Sequence, residues 1–189
     1  NHPVLITLIK ILELHDKSKF EVYAYSLNMF EDRYTERVKK SVFAFRQISD
    51  KCDDEIATIV KNDNIDIAID LTGYTKNNRF SIFSYRIAPI QINYLGYPGS
   101  LGSNSIDFIL ADKVLIPEEK KIYYSEEVLY LPNSCIPHGD TESLPINKFN
   151  REELGLPRDA FVFTCFNATK KITRREFSIW LRLLQKVKK

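Results

Sequence analysis

Two periods of hydrophobicity alternate along this chain. Near its start, Val4, Leu5, Leu8, Ile11 and Leu12 recur at helical spacing in "VLITLIKILEL", with Pro3 at a favoured first-turn position. "FEVYAYS" (20–26) then reads as a strand, because aromatic and β-branched side chains suit a pleated surface. A charged helix ("EDRYTERVKKSV"), a short strand ("AFRQI") and an amphipathic helix over 53–63, acidic in its first turn, come next. "IDIAIDL" (65–71) is a nearly continuous β-branched run, which predicts a strand covered on both faces. A helical segment, "RFSIFSYR", precedes three further strands, "PIQINYL", "IDFILAD" (106–112) and "VLYLP" (128–132). The last apolar periods predict a strand, "FVFTCFN", and a helix from about Thr173.

Strands alternating with helices predict an α/β fold with a Rossmann-like, mostly parallel sheet, whose ligands bind at the carboxyl ends of the strands. The stretch 133–150 loses apolar phase and carries turn-forming residues. It sets the expected organisation: a lobe over 1–145, a linker over 146–156, and the start of a second lobe over 157–189.

Composition narrows the class. At 44% hydrophobic and 28% charged residues the chain has the make-up of a soluble globular protein. Lys plus Arg (27) nearly balance Asp plus Glu (25), so no electrostatic footprint for nucleic acid exists. The longest apolar run is interrupted by Lys10 and is too short for a bilayer. Cys52, Cys135 and Cys165 lack any C-x-x-C spacing, which argues against a disulfide framework or a zinc site and points to the reducing cytoplasm. Residue 1 is Asn, and no residues follow the last helix to cover its apolar face. The expectation is a fragment of a longer protein, poorly stable and inactive by itself.

Three loops that follow strands could carry chemistry. "LGYPGSLG" places Gly96, Gly99 and Gly102 within seven positions, although the chain has only 6 glycines. A plain glycine turn between two strands is one reading. Backbone amides brought close to a ligand, with Pro98 stiffening the bend, is the other. Tyr74, Thr75, Tyr94 and Tyr97 fall on the same edge, and hydroxyl-bearing rings beside exposed amides suit a sugar or a peptide. In "ATKKITRRE", Thr173 and Glu176 form the pattern of a capping box, with Lys170, Lys171, Arg174 and Arg175 around it. Such a helix start reads either as a metal-free phosphate site or as a solvated basic turn. His2, just before Pro3, would sit at another helix start, as a cap or as a donor to a sugar oxygen. No G-x-G-x-x-G, P-loop lysine motif, G-x-S-x-G elbow or D-x-D after an apolar strand is present.

"GYTKNNR", "APIQINYLGYPGSLGSNSIDFILAD" and "GLPRDAFVFTCFNATKKIT…FSIW", in this order, resemble the catalytic region of the O-linked N-acetylglucosamine transferase family, which includes Spindly-type O-fucosyltransferases and bacterial protein glucosyltransferases. The resemblance implies a GT-B fold of two Rossmann-like lobes. It implies inverting, metal-independent transfer of N-acetylglucosamine from UDP-N-acetylglucosamine to Ser or Thr of proteins, with no cofactor and with tetratricopeptide repeats upstream. By the same resemblance His2 is the active-site histidine. His2 and Pro3 would line the donor sugar together with Leu95, Gly96, Tyr97 and Pro98. Tyr74, Thr75, Lys76 and Arg79 would lie on the acceptor side. Asn167 and Lys171 would meet the nucleotide diphosphate, Lys171 as the cation. The nucleoside contacts would lie beyond Lys189. The chain departs from the family pattern at Ile87, Ser100, Lys170 and Arg174, where proline, threonine, tyrosine and proline are usual. A GDP-fucose or UDP-glucose donor, or a non-catalytic nucleotide-sugar-binding scaffold, are the alternative readings.

Overall fold

A computed structural model of the chain describes residues 3–137 and 149–187. Its contacts divide it into two units, Asn1–Glu142 and Ser143–Lys189. His2 and residues 146–148 of the expected linker lie outside the described residues.

In the first unit, helix α1 (Pro3–Leu14) turns Ile6, Ile9 and Leu12 towards Tyr34 and Val38 of α2 (Arg33–Ser41). An ion pair between Glu13 and Arg37 at 2.7 Å ties the two helices together. Asp32 caps α2 because its carboxylate accepts from the Tyr34 and Thr35 amides while the Thr35 hydroxyl accepts from the Asp32 amide. Strands β1 (Tyr23–Ser26) and β2 (Ala44–Gln47) pair in parallel. Helix α3 (Asp53–Asn62) then buries Ile56, Ala57 and Val60.

A second, four-stranded parallel sheet carries the edge of interest. Its order is β3 (Ile67–Asp70), β4 (Ile90–Tyr94), β5 (Phe108–Ala111), β6 (Glu127–Tyr130). The connections are short: a 3-10 turn over Phe80–Tyr85 and another over Glu118–Tyr123, in place of full α-helices. Ala68 of β3 packs with α3 and with Ile82, Ile87 and Ala88, so one face of the sheet is covered. On the opposite face Ile67 and Ile69 are 50% and 48% exposed. The β-branched run therefore makes a strand buried on one face, where the sequence pattern predicts two. Its residue types suit either case, and only neighbouring elements decide coverage.

The second unit corrects two more expectations. "FVFTCFN" forms no strand: residues 161–167 pair with nothing among the described residues, and Phe161, Phe163 and Phe166 are exposed. A β-strand is stable only beside a partner, whatever its intrinsic propensity. Helix α4 (Arg174–Lys186) begins at Thr173 as expected. However, the Thr173 hydroxyl donates to the Glu176 carboxylate, and neither side chain caps a backbone amide. The reciprocal capping box is absent. Apart from partial cover of a few side chains, such as Trp180, the described apolar residues of this unit are exposed. A peptide of residues 149–187 is accordingly expected to give a coil-like far-UV circular dichroism spectrum and no sigmoidal melt, because it buries too little apolar surface to offset chain entropy. A cooperative transition would contradict this.

Candidate functional site

The loops after β3, β4, β5 and β6 share the carboxyl edge of the sheet, and their glycines and polar side chains lock them together. β4 runs straight into a tight reversal. Leu95 adopts φ +69°, and the Gly96 amide donates to the Tyr94 carbonyl at 2.8 Å. This is a γ-turn of the rare positive-φ kind, strained for a branched side chain. The glycines around it are there for contact with other parts of the chain. A Cβ on Gly96 would lie 1.9 Å from the Leu71 carbonyl oxygen, in the loop after β3. A Cβ on Gly73 (φ +51°) would lie 2.4 Å from Cβ of Tyr97, and one on Gly99 would strike the Tyr97 ring at 2.9 Å. Tyr97 thus passes between two glycines, and its ring meets Tyr74 edge-on at 5.7 Å.

Neighbouring elements hold the bend from outside. The fully buried Asn93 donates to the Tyr97 carbonyl at 3.1 Å and the Gly99 carbonyl at 3.4 Å. Tyr124 donates to Pro98 at 2.9 Å, and Tyr74 to Leu101 at 2.6 Å. Glu126, nearly inaccessible, accepts from the Leu101 amide at 2.6 Å and the Ser100 hydroxyl at 2.7 Å. Two groups remain free. The amides of Tyr97, Gly99 and Ser100 donate to no acceptor among the described residues. The Asn93 side-chain oxygen is buried with no partner among the described residues.

Beside the bend lies an apolar pocket of about 140 Å³, lined by Leu95, Tyr97, Pro98, Ile109, Leu110, Leu115, Cys135 and Ile136. Burial pushes up both the Cys135 thiol and the Tyr94 hydroxyl, and the latter donates to the Cys135 carbonyl at 2.8 Å.

The expected site residues divide accordingly. Leu95, Gly96, Tyr97 and Pro98 form the bend itself, although the Gly96 amide is committed to its own turn. Tyr74 packs beside them, its hydroxyl used internally, as is that of Tyr94. Thr75 accepts from Asn78 through its carbonyl, and Lys76 is exposed. Arg79 points the other way: its guanidinium binds Asp53 at the start of α3 and the Lys51 carbonyl. The Ser81 hydroxyl and Arg79 hold the Asp53 carboxyl below its usual range. Pro3 opens α1. In the second unit Asn167 and Lys171 are exposed. Lys170, Lys171, Arg174 and Arg175 have no acidic partner among the described residues, and α4 starts with no side chain on its amides.

Sequence reasoning missed Asn93, Asp112, Tyr124, Glu126 and the apolar wall from Leu110 to Ile136. An aspartate directly after the apolar strand "FILA" was the one available signal. Among the described residues no cluster of His, Cys, Asp or Glu could hold a metal ion, and no helix is long and apolar enough to cross a membrane.

Comparison with known proteins adds descent to this geometry. Residues 1–146 match the family described as glycosyl transferase family 41. The chain belongs to that family. It is 32% identical over 194 residues to the probable UDP-N-acetylglucosamine–peptide N-acetylglucosaminyltransferase SEC of Arabidopsis thaliana, a match covering 99% of this chain and 20% of that protein. It is 29% identical to the probable enzyme of the same name, SPINDLY, from Arabidopsis thaliana, covering 97% of this chain and 20% of the relative. The family 41 chain thus spans about a fifth of the length of these curated relatives. It also resembles the solved structure of a lysine-to-methionine mutant of O-GlcNAc transferase from Thermobaculum terrenum. That likeness has a TM-score of 0.73 and 30% identity, over 76% of this chain and 28% of that one. Parallel sheets and this likeness make the fold α/β of the GT-B type.

Proposed function

We propose that this family 41 chain belongs to a protein O-glycosyltransferase that moves N-acetylglucosamine from UDP-N-acetylglucosamine to Ser or Thr hydroxyls of polypeptides, with inversion and without a metal. The observation that carries this reading is the bolted bend from Leu95 to Ser100, with three uncommitted amides, at the carboxyl edge of a parallel sheet. Amides so held can donate to sugar oxygens without reorganising, which is how fixed dipoles favour a transition state. Lys171 and the uncapped start of α4 would take the diphosphate, since helix N-termini favour anions. His2 and Pro3 would border the donor sugar, and Tyr74, Thr75 and Lys76 the acceptor. The three cysteines are free, consistent with a cytoplasmic enzyme, and upstream tetratricopeptide repeats would present the acceptor.

The test uses the full-length protein with radiolabelled UDP-N-acetylglucosamine, GDP-fucose and UDP-glucose, each with a Ser/Thr-rich peptide and with or without EDTA. Transfer from UDP-N-acetylglucosamine that survives EDTA is expected. Transfer from another donor would overturn the donor assignment alone. No transfer from any would leave a binding scaffold.

A further inference from the structure

The carboxylate at the end of β5 links two loops that the sequence pattern leaves unrelated. Asp112 is 8% exposed. One oxygen accepts from the Val114 amide at 2.9 Å and the Leu115 amide at 2.8 Å. The other accepts from the Cys135 amide at 2.8 Å, beyond β6. A single side chain therefore closes the turn after β5 and ties it to the turn after β6. Leu115 and Cys135, whose own amides it holds, are both walls of the pocket beside the bend.

Three such bonds define the state of the group. The Cys135 amide above all, then the Leu115 amide, draw the Asp112 carboxyl down to about 2, so it is ionised at any working pH. No cation pairs with it among the described residues, and its charge is met by backbone dipoles and by the Cys135 thiol.

We propose that Asp112 is a positioning residue for the donor sugar, setting the width of the pocket beside Leu95–Pro98 without touching substrate. The proposal rests on the reading of that bend as the donor side. Asparagine at this position splits the roles. D112N can keep its oxygen on the Val114 and Leu115 amides, but then turns an NH2 towards the Cys135 amide. It therefore frees the β6 side while leaving the β5 turn closed.

The experiment compares wild type and D112N in the full-length protein, measuring donor and acceptor KM, kcat, donor binding by calorimetry, and the alkylation rate of the Cys135 peptide by mass spectrometry. Loss of one buried hydrogen bond predicts a rise of about tenfold in donor KM and Kd. The acceptor KM should be unchanged, kcat should fall within about threefold, and Cys135 should alkylate faster. Unchanged donor affinity in a folded D112N would overturn the proposal, and so would an equal loss for donor and acceptor. Should D112N fail to fold, D112E carries the same test: it keeps the charge, but its extra methylene prevents the carboxylate from holding both turns at their present spacing. Failure of both would make Asp112 a folding residue only. If the functional reading itself is wrong, the wild type binds no nucleotide sugar, an outcome separate from any effect of D112N.

Discussion

Replacing Gly96 with alanine is expected to cost about 3 kcal/mol and to lower the melting temperature by roughly 10 °C, the upper end for an overpacked site. The added methyl would lie 1.9 Å from the Leu71 carbonyl oxygen and 2.7 Å from its carbon. Both are backbone atoms, so no rotamer change relieves the clash. The loop after β3 and the bend after β4 must separate, and the bonds of Asn93 and Tyr74 to the bend are strained with them. Donor affinity should fall in parallel, because the free amides of Tyr97, Gly99 and Ser100 lie on the displaced segment. Gly102 supplies the control. It has φ +60° with nothing within 4 Å of its Cβ position, so Gly102→Ala should cost only the ~1–2 kcal/mol of a left-handed alanine. The check is calorimetry of both variants in the full-length protein. Equal destabilisation would mean that contact with Leu71 is not what requires glycine at 96.

Element types were legible where the sequence carries a period that local chemistry enforces. α1, α2 and α3 lie where apolar spacing and acidic starts put them, and the β-rich segments of the first unit pair as parallel strands. Properties that belong to neighbours were not legible. Nothing in "IDIAIDL" says that Ile67 and Ile69 stay half exposed, and nothing in "FVFTCFN" says that it pairs with no strand among the described residues. At Thr173 and Glu176 the spacing was right, but the side chains bond each other and leave the amides alone.

The site was legible in a similar, partial way. Of the clustered glycines, Gly96 and Gly99 stand at close approaches, whereas Gly102 has nothing within 4 Å of its Cβ position. Sequence could not say what approaches, and for Gly73, Gly96 and Gly99 it is the chain's own backbone or the Tyr97 ring. Asn93 reaches only four and six positions along the chain, but Tyr124, Glu126 and Asp112 escaped notice because their partners are remote in sequence. Glu126 reaches Leu101 across 25 positions, and Asp112 reaches Cys135 across 23. Their roles follow from strand order, which brings the ends of β4, β5 and β6 side by side.

Lys171→Ala in the full-length protein is expected to lower turnover about a hundredfold or more, the effect of removing one preorganised charge from a developing anion. In the proposed transfer, the leaving nucleotide would gain negative charge as the glycosidic bond breaks. A cation beside it is therefore worth more in the transition state than in the ground state, so kcat should fall while the acceptor KM barely moves. Local structure singles out this turn: Lys171 ends a 3-10 segment directly before α4, no carboxylate pairs with it among the described residues, and no side chain caps the helix amides. Lys170 separates a specific contact from general basicity. Both lysines are exposed and adjacent, so a diffuse positive field would make Lys170→Ala and Lys171→Ala equally harmful. A specific diphosphate contact predicts that Lys170→Ala costs only a few-fold (the scale of a surface charge change). Single-turnover kinetics with a saturating donor measures this directly. Near-normal turnover in Lys171→Ala would remove that lysine from the reaction and leave the anion to the amides of α4.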